Sequence, residues 1–413
     1  MTAAAPRVLF LSHSASRNGA TILLLEFLRW LRPQVDWHIE VLMNGRGPLL
    51  DEFRAVAPTT VWRDPTSRLA AVLPRSAAGL QARLVKLAAS PAKPRGRFDL
   101  VYANTAAAAP MVGLFAGASR ALLWHVHELD YALAMHLPDP ARQDVFRRAT
   151  RYIAVSRAVR DTLRDAHGID ASRTDVVNGF IAPGASGAQA ATRRGELRAR
   201  LGLADDAFVI GACGSLGWRK GSDLFLQAAR HVLATPGTRD AHFLWVGGTP
   251  GEPAWVEFEY DLQRLGLRDR CRLVPTTHDA RDYYHAMDAF ALTSREDPFP
   301  LVVLEAAECG LPVLCFAEAG GASEFLEEDT DFCAAPYLDA AAFAARIDRL
   351  RADPALASRL GAAARVRVER NHRVERQGPL MLQSMQHCLA LTQAPDAAGG
   401  ARDVDSRSAL PTR

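Results

Sequence analysis

Lysine is almost missing from this chain. Of 49 basic residues in 413, three are lysines (Lys86, Lys93 and Lys220) and the rest are arginines. Together with abundant alanine, this reads as GC-rich codon usage. Basic residues barely outnumber the 46 acidic ones, for a net charge of +3. So even a balance leaves no excess charge to attract nucleic acid, and no nucleic-acid partner is expected. Long apolar runs are also lacking. None reaches the roughly 20 residues that would span a bilayer, so an integral membrane protein is excluded. The first residues carry one charge, Arg7, and lead directly into Val8–Leu11. No signal-peptide pattern is seen there, and a cytoplasmic location is expected.

The cysteines are few and scattered: Cys213, Cys271, Cys309, Cys315, Cys333 and Cys388. None forms a C-x-x-C pair and most lie in apolar runs, which predicts reduced, buried thiols rather than a zinc site or disulfides. The loop after the first apolar run, Ser12 to Thr21, has one glycine where a dinucleotide fingerprint needs three. No Walker loop and no H-E-x-x-H occur. Pyridine-nucleotide dehydrogenases, P-loop enzymes and zinc peptidases are therefore disfavoured.

What the sequence does have is alternation. Short apolar runs at 8–12, 39–43, 100–103, 122–126, 152–155 and 176–177 are separated by helical-period segments such as 22–31. A second series follows at 208–213, 243–246, 272–274, 289–292 and 313–316, with helices such as 222–233 and 341–351. This pattern predicts parallel sheets covered by helices on both faces. Residues 181–195 are small and polar and read as a linker between two α/β domains, 1–180 and 196–392. The segment 393–413 has no core-forming pattern and is expected to be disordered. Ligands are expected in the cleft, at the carboxyl ends of the strands.

Four segments could carry chemistry. Gly214-Ser215-Leu216-Gly217-Trp218-Arg219-Lys220-Gly221 leaves a strand and opens a helix. Two cations in a glycine-rich turn at a helix N-terminus suit a phosphate. In 294–305, Pro298 and Pro300 fix the entry of a short helix closed by Gly310 and Pro312. Asp297 stands above that helix and Glu305 in its second turn, spaced to accept hydrogen bonds from sugar hydroxyls. Gly320-Gly321 allows close backbone approach. In Trp124-His125-Val126-His127-Glu128, alternation puts both histidines on one face at a strand's end. His-x-His alone lacks a third ligand, so no metal is expected.

Together these segments resemble glycosyltransferase family 4, whose fold is the α/β GT-B arrangement: two Rossmann-like domains facing across a cleft. The likeness runs over about residues 7–390. It is carried by Asn18-Gly19-Ala20, Trp124–Glu128, 153–159, 177–181, Gly214–Gly221, Tyr284–Leu292, Asp297–Gly310 and Gly320–Glu324. The resemblance implies that the second domain holds a nucleotide-sugar donor. Arg219 and Lys220 would then grip the diphosphate, Asp297 the sugar and Glu305 the ribose. Gly320 and Gly321 would offer amides, with Gly217, Phe299 and Leu301 also lining the donor. Gly19 would approach from the first domain and His127 would lie near the transferred sugar. This sequence departs from the family pattern in having Asp297 for the usual glutamate and Pro300 for the usual glycine, which has no N–H to give.

The implied reaction is transfer of a sugar to a hydroxyl acceptor with retained configuration, with neither cofactor nor metal, in polysaccharide or glycolipid assembly. A nucleotide-sugar 2-epimerase of the same fold and a non-catalytic carbohydrate- or nucleotide-binding protein are the alternatives. The acceptor would be a carbohydrate or a lipid-linked one. Between Arg63 and Arg97 eight basic residues face one acidic one, Asp64, which suggests peripheral contact with anionic lipid at the inner membrane's cytoplasmic face.

Overall fold

The computed structural model describes residues 4–62, 94–115, 117–139, 141–184, 188–238 and 240–391. Nearly all of the basic 63–97 stretch, and the 393–413 segment, lie outside the described residues. The described chain builds two fully parallel sheets. The first comprises β1 (Arg7–Ser12), β2 (His38–Met43), β3 (Thr59–Val61), β4 (Phe98–Asn104), β5 (Ser119–Val126), β6 (Arg151–Ala154) and β7 (Thr174–Val176). Their order across the sheet is β3-β2-β1-β4-β5-β6-β7. The second comprises β8 (Phe208–Cys213), β9 (Ala241–Val246), β10 (Cys271–Val274), β11 (Ala289–Leu292), β12 (Val313–Phe316) and β13 (Ala334–Ala335). Its order is β10-β9-β8-β11-β12-β13.

Val8, Leu9, Phe10 and Leu11 are all fully buried, although successive residues point to opposite faces. Helices cover both faces of the sheet, and this explains why the run is apolar without alternation. Each sheet has one place where strand order reverses: between β1 and β4, and between β8 and β11. Loops leaving neighbouring strands part there and open a crevice, so each sheet offers one such site at its strands' carboxyl ends.

Two expectations about the organisation need correction. Residues 181–195 are not wholly irregular, because a helix begins at Ala188 and runs to Leu201. Buried Arg198 ties this helix to the second sheet through Asp288 Oδ2 at 2.7 Å and the Ala286 carbonyl at 3.2 Å. Nor does the second half keep all of 196–392. The last described helix, Val374–Leu391, crosses back to the first sheet. Its Met381, Met385, Cys388 and Leu389 join the core that holds Val8, Phe10, Phe27 and Tyr102. Gly378 permits this approach, because a Cβ there would lie 2.8 Å from the Trp30 ring. The cysteines are unpaired, as expected, and four of the six are buried.

Candidate functional site

The turn after β8 is shaped by its glycines. Gly217 and Gly221 have φ of 134° and 64°. A Cβ on Gly221 would come within 1.9 Å of the Thr293 carbonyl oxygen, so only glycine lets the turn lie against the loop after β11. Between them Trp218–Lys220 forms one 3-10 turn that leads into the helix Ser222–Ala234. The Gly217 N–H donates to Ser222 Oγ at 3.2 Å.

The contact between these two loops places Lys220 beside Asp297, at the reversal point of the second sheet. Lys220 Nζ donates to Asp297 Oδ2 at 2.5 Å, and Ser294 Oγ donates to the same oxygen at 3.1 Å. Arg219 Nη1 lies 3.9 Å from Asp297 Oδ1 and donates to the Glu296 carbonyl at 2.9 Å. Asp297 is buried, whereas the Arg219 side chain keeps 34 % of its exposure and can reach a ligand.

Pro300 caps the helix Leu301–Glu308 from outside rather than forming its first turn, and Gly310 follows its end with φ of 79°. Glu305 sits in the second turn, where Tyr284 O–H donates to its Oε2 at 2.9 Å. Burial pushes the Glu305 carboxyl above its usual range, while Arg281 and the Tyr284 bond pull it back.

Gly320 pairs with Asp297 across the loops, and at its φ of 128° a Cβ would lie 2.0 Å from the Asp297 carbonyl oxygen. The Gly321 N–H is already donated to the carbonyls of Asp297 and Pro298, both at 3.1 Å. This departs from the expectation that both amides of the pair face a ligand. A second departure concerns Phe299 and Leu301. Their side chains pack on the first domain: a Cβ on Gly179 would lie 2.8 Å from Leu301 and 2.9 Å from Phe299. Gly19 faces Leu301 as well, at 3.6 Å from its would-be Cβ. Gly19 starts the helix that Asn18 caps by accepting from Thr21 N–H at 3.0 Å.

On the first domain's side, His125 and His127 are neighbours with ring centroids 4.0 Å apart. Asn104 Nδ2 donates to the Ala20 carbonyl at 3.1 Å, which turns Asn104 Oδ1 towards His127 Nε2, also at 3.1 Å. His127 therefore carries its proton on Nε2 and keeps a lone pair on Nδ1. Burial first, and the nearby His13 second, lower its pKa to about 3, so the ring is neutral at pH 7.

Glu128 was not among the residues singled out. It is buried, with Oε1 accepting from Ala106 N–H at 3.0 Å and Oε2 from His127 N–H at 2.9 Å. Burial pushes its carboxyl up to about 7, against the pull of those two bonds and of Arg219 in the other domain. Glu296 and Glu324 were also passed over, and both reach from the second domain to the first. A single carboxylate beside a binding motif has no spacing signal that would announce such a contact.

The chain is similar to known glycosyltransferases along both halves. Residues 17–183 match the model of Glycosyltransferase Family 4, and residues 193–367 match that of Glycosyl transferases group 1. A D-inositol 3-phosphate glycosyltransferase of Xylanimonas cellulosilytica is 31% identical over 243 residues, 55% of this chain and 56% of the relative. A lipopolysaccharide core biosynthesis glycosyltransferase, LpsD of Rhizobium meliloti, is 34% identical over 165 residues, 40% of this chain and 45% of the relative. The chain thus spans about half the length of the curated relatives it matches. Among solved structures, Anabaena Alr3699/HepE in complex with UDP-glucose aligns with a TM-score of 0.72 at 24% identity, over 92% of this chain and 100% of that one. That likeness establishes the two-domain GT-B fold. With both halves matched in order, the chain belongs to the family 4, group 1 glycosyltransferases.

Proposed function

We propose that the protein transfers a sugar from a nucleoside-diphosphate sugar to a hydroxyl acceptor. The observation that carries this reading is the Lys220–Asp297 pair beside Arg219 at the sheet's reversal point. A diphosphate entering there competes with Asp297 for the Lys220 ammonium. The exchange frees Asp297 Oδ2 to accept from a sugar hydroxyl. As the bond between sugar and phosphate breaks, negative charge grows on the leaving diphosphate. Lys220, Arg219 and the N-terminus of the Ser222–Ala234 helix lie where that charge develops and supply the countercharge. Glu305, in the turn of helix below, takes the ribose hydroxyls.

His127 contributes as a neutral group. Its Nδ1 lone pair accepts from a hydroxyl of the sugar or acceptor. The reaction is read as retaining, by attack on the same face the diphosphate leaves, and no covalent nucleophile is assigned. The positive side chains do the work a metal would otherwise do, so turnover should persist in chelator. The relative named for lipopolysaccharide core biosynthesis supports an acceptor in cell-surface carbohydrate or glycolipid assembly. The neighbour bound to UDP-glucose makes that molecule the first donor to try. No helix among the described residues is long and apolar enough to cross a membrane.

The test is release of nucleoside diphosphate from a panel of nucleotide sugars, with and without candidate acceptors. Lys220→Ala should lower turnover on the order of 10²–10³-fold, the scale for one lost charge-stabilising donor. Equal turnover in that variant would remove Lys220 from the chemistry. Isomerisation of the donor sugar without transfer would point instead to the epimerase reaction.

A further inference from the structure

The first amides of a helix have no partner within it and need a cap. The helix Asp130–His136 begins three residues after His127, and its N-cap residue is Leu129, whose side chain makes no capping hydrogen bond. The cap comes from the other domain. Glu296 Oε2 accepts from Tyr131 N–H at 2.9 Å and Oε1 from Ala132 N–H at 3.2 Å. One strand further along, the helix Arg157–Asp165 is served in the same way. Glu324 Oε2 accepts from Arg157 N–H at 2.9 Å and Oε1 from Ala158 N–H at 2.8 Å. Its own Ser156 takes the next amide, Val159, at 3.2 Å. Two carboxylates of the second domain thus complete two helices of the first.

Both carboxylates adjoin the groups proposed to hold the donor, Glu296 in the loop after β11 and Glu324 in the helix Ala322–Leu326. Glu296 immediately precedes Asp297, and its carbonyl accepts from Arg219 at 2.9 Å. Glu324 follows the Gly320-Gly321 pair. Next to the Glu296 cap, the Tyr131 ring packs on Trp218 at 4.7 Å between centroids, and Trp218 begins the turn that holds Arg219 and Lys220. One short block, residues 218–220 with 295–297, therefore carries the cations proposed to hold the diphosphate and also grips the helix that follows His127.

We infer that Glu296 and Glu324 are positioning residues: they clasp the two domains and set His127 at a fixed place relative to Asp297. The clasp forms only when the domains are together. Separation returns four amides and two carboxylates to water. Carboxylate-to-amide bonds at a helix N-terminus are charge-assisted and aligned with the helix dipole. Losing one such cap should shift the closed-to-open ratio about tenfold. Lys220, Asp297 and Glu305 are all in the second domain, so opening should slow the reaction more than it weakens donor binding. That last split rests on the sugar-transfer reading; the clasp itself does not.

The experiment is hydrogen exchange on the full chain, with wild type, Glu296→Ala, Glu324→Ala and the double glutamine variant. Glu296→Ala should speed exchange at Tyr131 and Ala132 by at least about tenfold and leave the amides of β1 unchanged. Glu324→Ala should do the same at Arg157 and Ala158. The glutamine variant keeps an oxygen acceptor at each place and should fall between. It also supplies the answer if an alanine variant does not fold. With UDP-glucose as probe, each alanine variant should lower kcat, by up to about tenfold, the full shift in the ratio, reached when the open form dominates, while its Kd for UDP stays within about threefold. Unchanged exchange at the four amides would overturn the clasp. Loss of UDP affinity with kcat held would reassign the carboxylates to donor binding and also overturn it. If no variant, wild type included, turns over any nucleotide sugar, the transfer reading fails while exchange still judges the clasp.

Discussion

Replacing Lys220 by methionine removes the ammonium and keeps the stem. The loss strands Asp297, which is 5 % exposed and bound by Lys220 at 2.5 Å. Removing one partner of a buried ion pair costs about 3–5 kcal/mol. Asp297 retains Ser294 Oγ at 3.1 Å and Arg219 at 3.9 Å, so the cost belongs below that range, about 2–3 kcal/mol. For a domain of this size that is a fall of roughly 5–10 °C in Tm. Asp297→Asn alone leaves Lys220 better solvated and should cost less. The double variant Lys220→Met/Asp297→Asn has no stranded charge, so thermal denaturation of the four proteins should give a coupling of about 2 kcal/mol. Turnover should behave differently. The double variant should recover stability but not activity, because the diphosphate still lacks its cation. Zero coupling, or a Lys220→Met protein as stable as wild type, would refute the pairing.

Three further outcomes follow from the geometry. Gly221→Ala should destabilise the second domain by about 3 kcal/mol or more, since it combines a left-handed φ with a 1.9 Å approach to the Thr293 carbonyl oxygen; a Tm within a degree of wild type would contradict this. Met385→Ala should cost about 2–5 kcal/mol, and proteolysis should show the loosening in the first sheet's core rather than the second's. The Glu128 carboxyl, raised by burial to about 7, binds its proton more tightly folded than unfolded. Its contribution is therefore full at low pH and lost as pH rises from about 4.5 to 7, worth at most about 3 kcal/mol. Subtracting the stability profile of Glu128→Gln from that of wild type isolates this slope from the nearby histidines, and a flat difference would contradict it.

Much of this was legible in the chain. Both sheets were written in their apolar runs, because strands buried on two faces have no polar alternation to obscure them. The edges were not. β3 is Thr59–Val61 and β13 is Ala334–Ala335, too short and too weakly apolar to stand out. The helix from Ala188 was hidden because the alanines and arginines that favour helix stand among glycines that do not. An amphipathic stripe on 374–391 predicts burial but names no partner, so its return to the first sheet could only be seen in space. In the candidate site, Arg219, Lys220, Asp297 and Glu305 could be proposed from sequence because a turn or one helix fixes each within a few residues, and the structure brings Lys220 and Arg219 to Asp297. Glu296 and Glu324 act across 164 to 167 residues, a separation no local pattern encodes.

The most direct test of the account is calorimetric titration with nucleosides and their diphosphates, in wild type and in Lys220→Met. The tightest-binding diphosphate should bind wild type at least about tenfold better than it binds the variant, on the scale of one charge-assisted contact. Its parent nucleoside should bind the two proteins equally. A diphosphate that binds no better than its nucleoside, or that binds the variant as well as wild type, would contradict the claim that these cations receive a diphosphate leaving group.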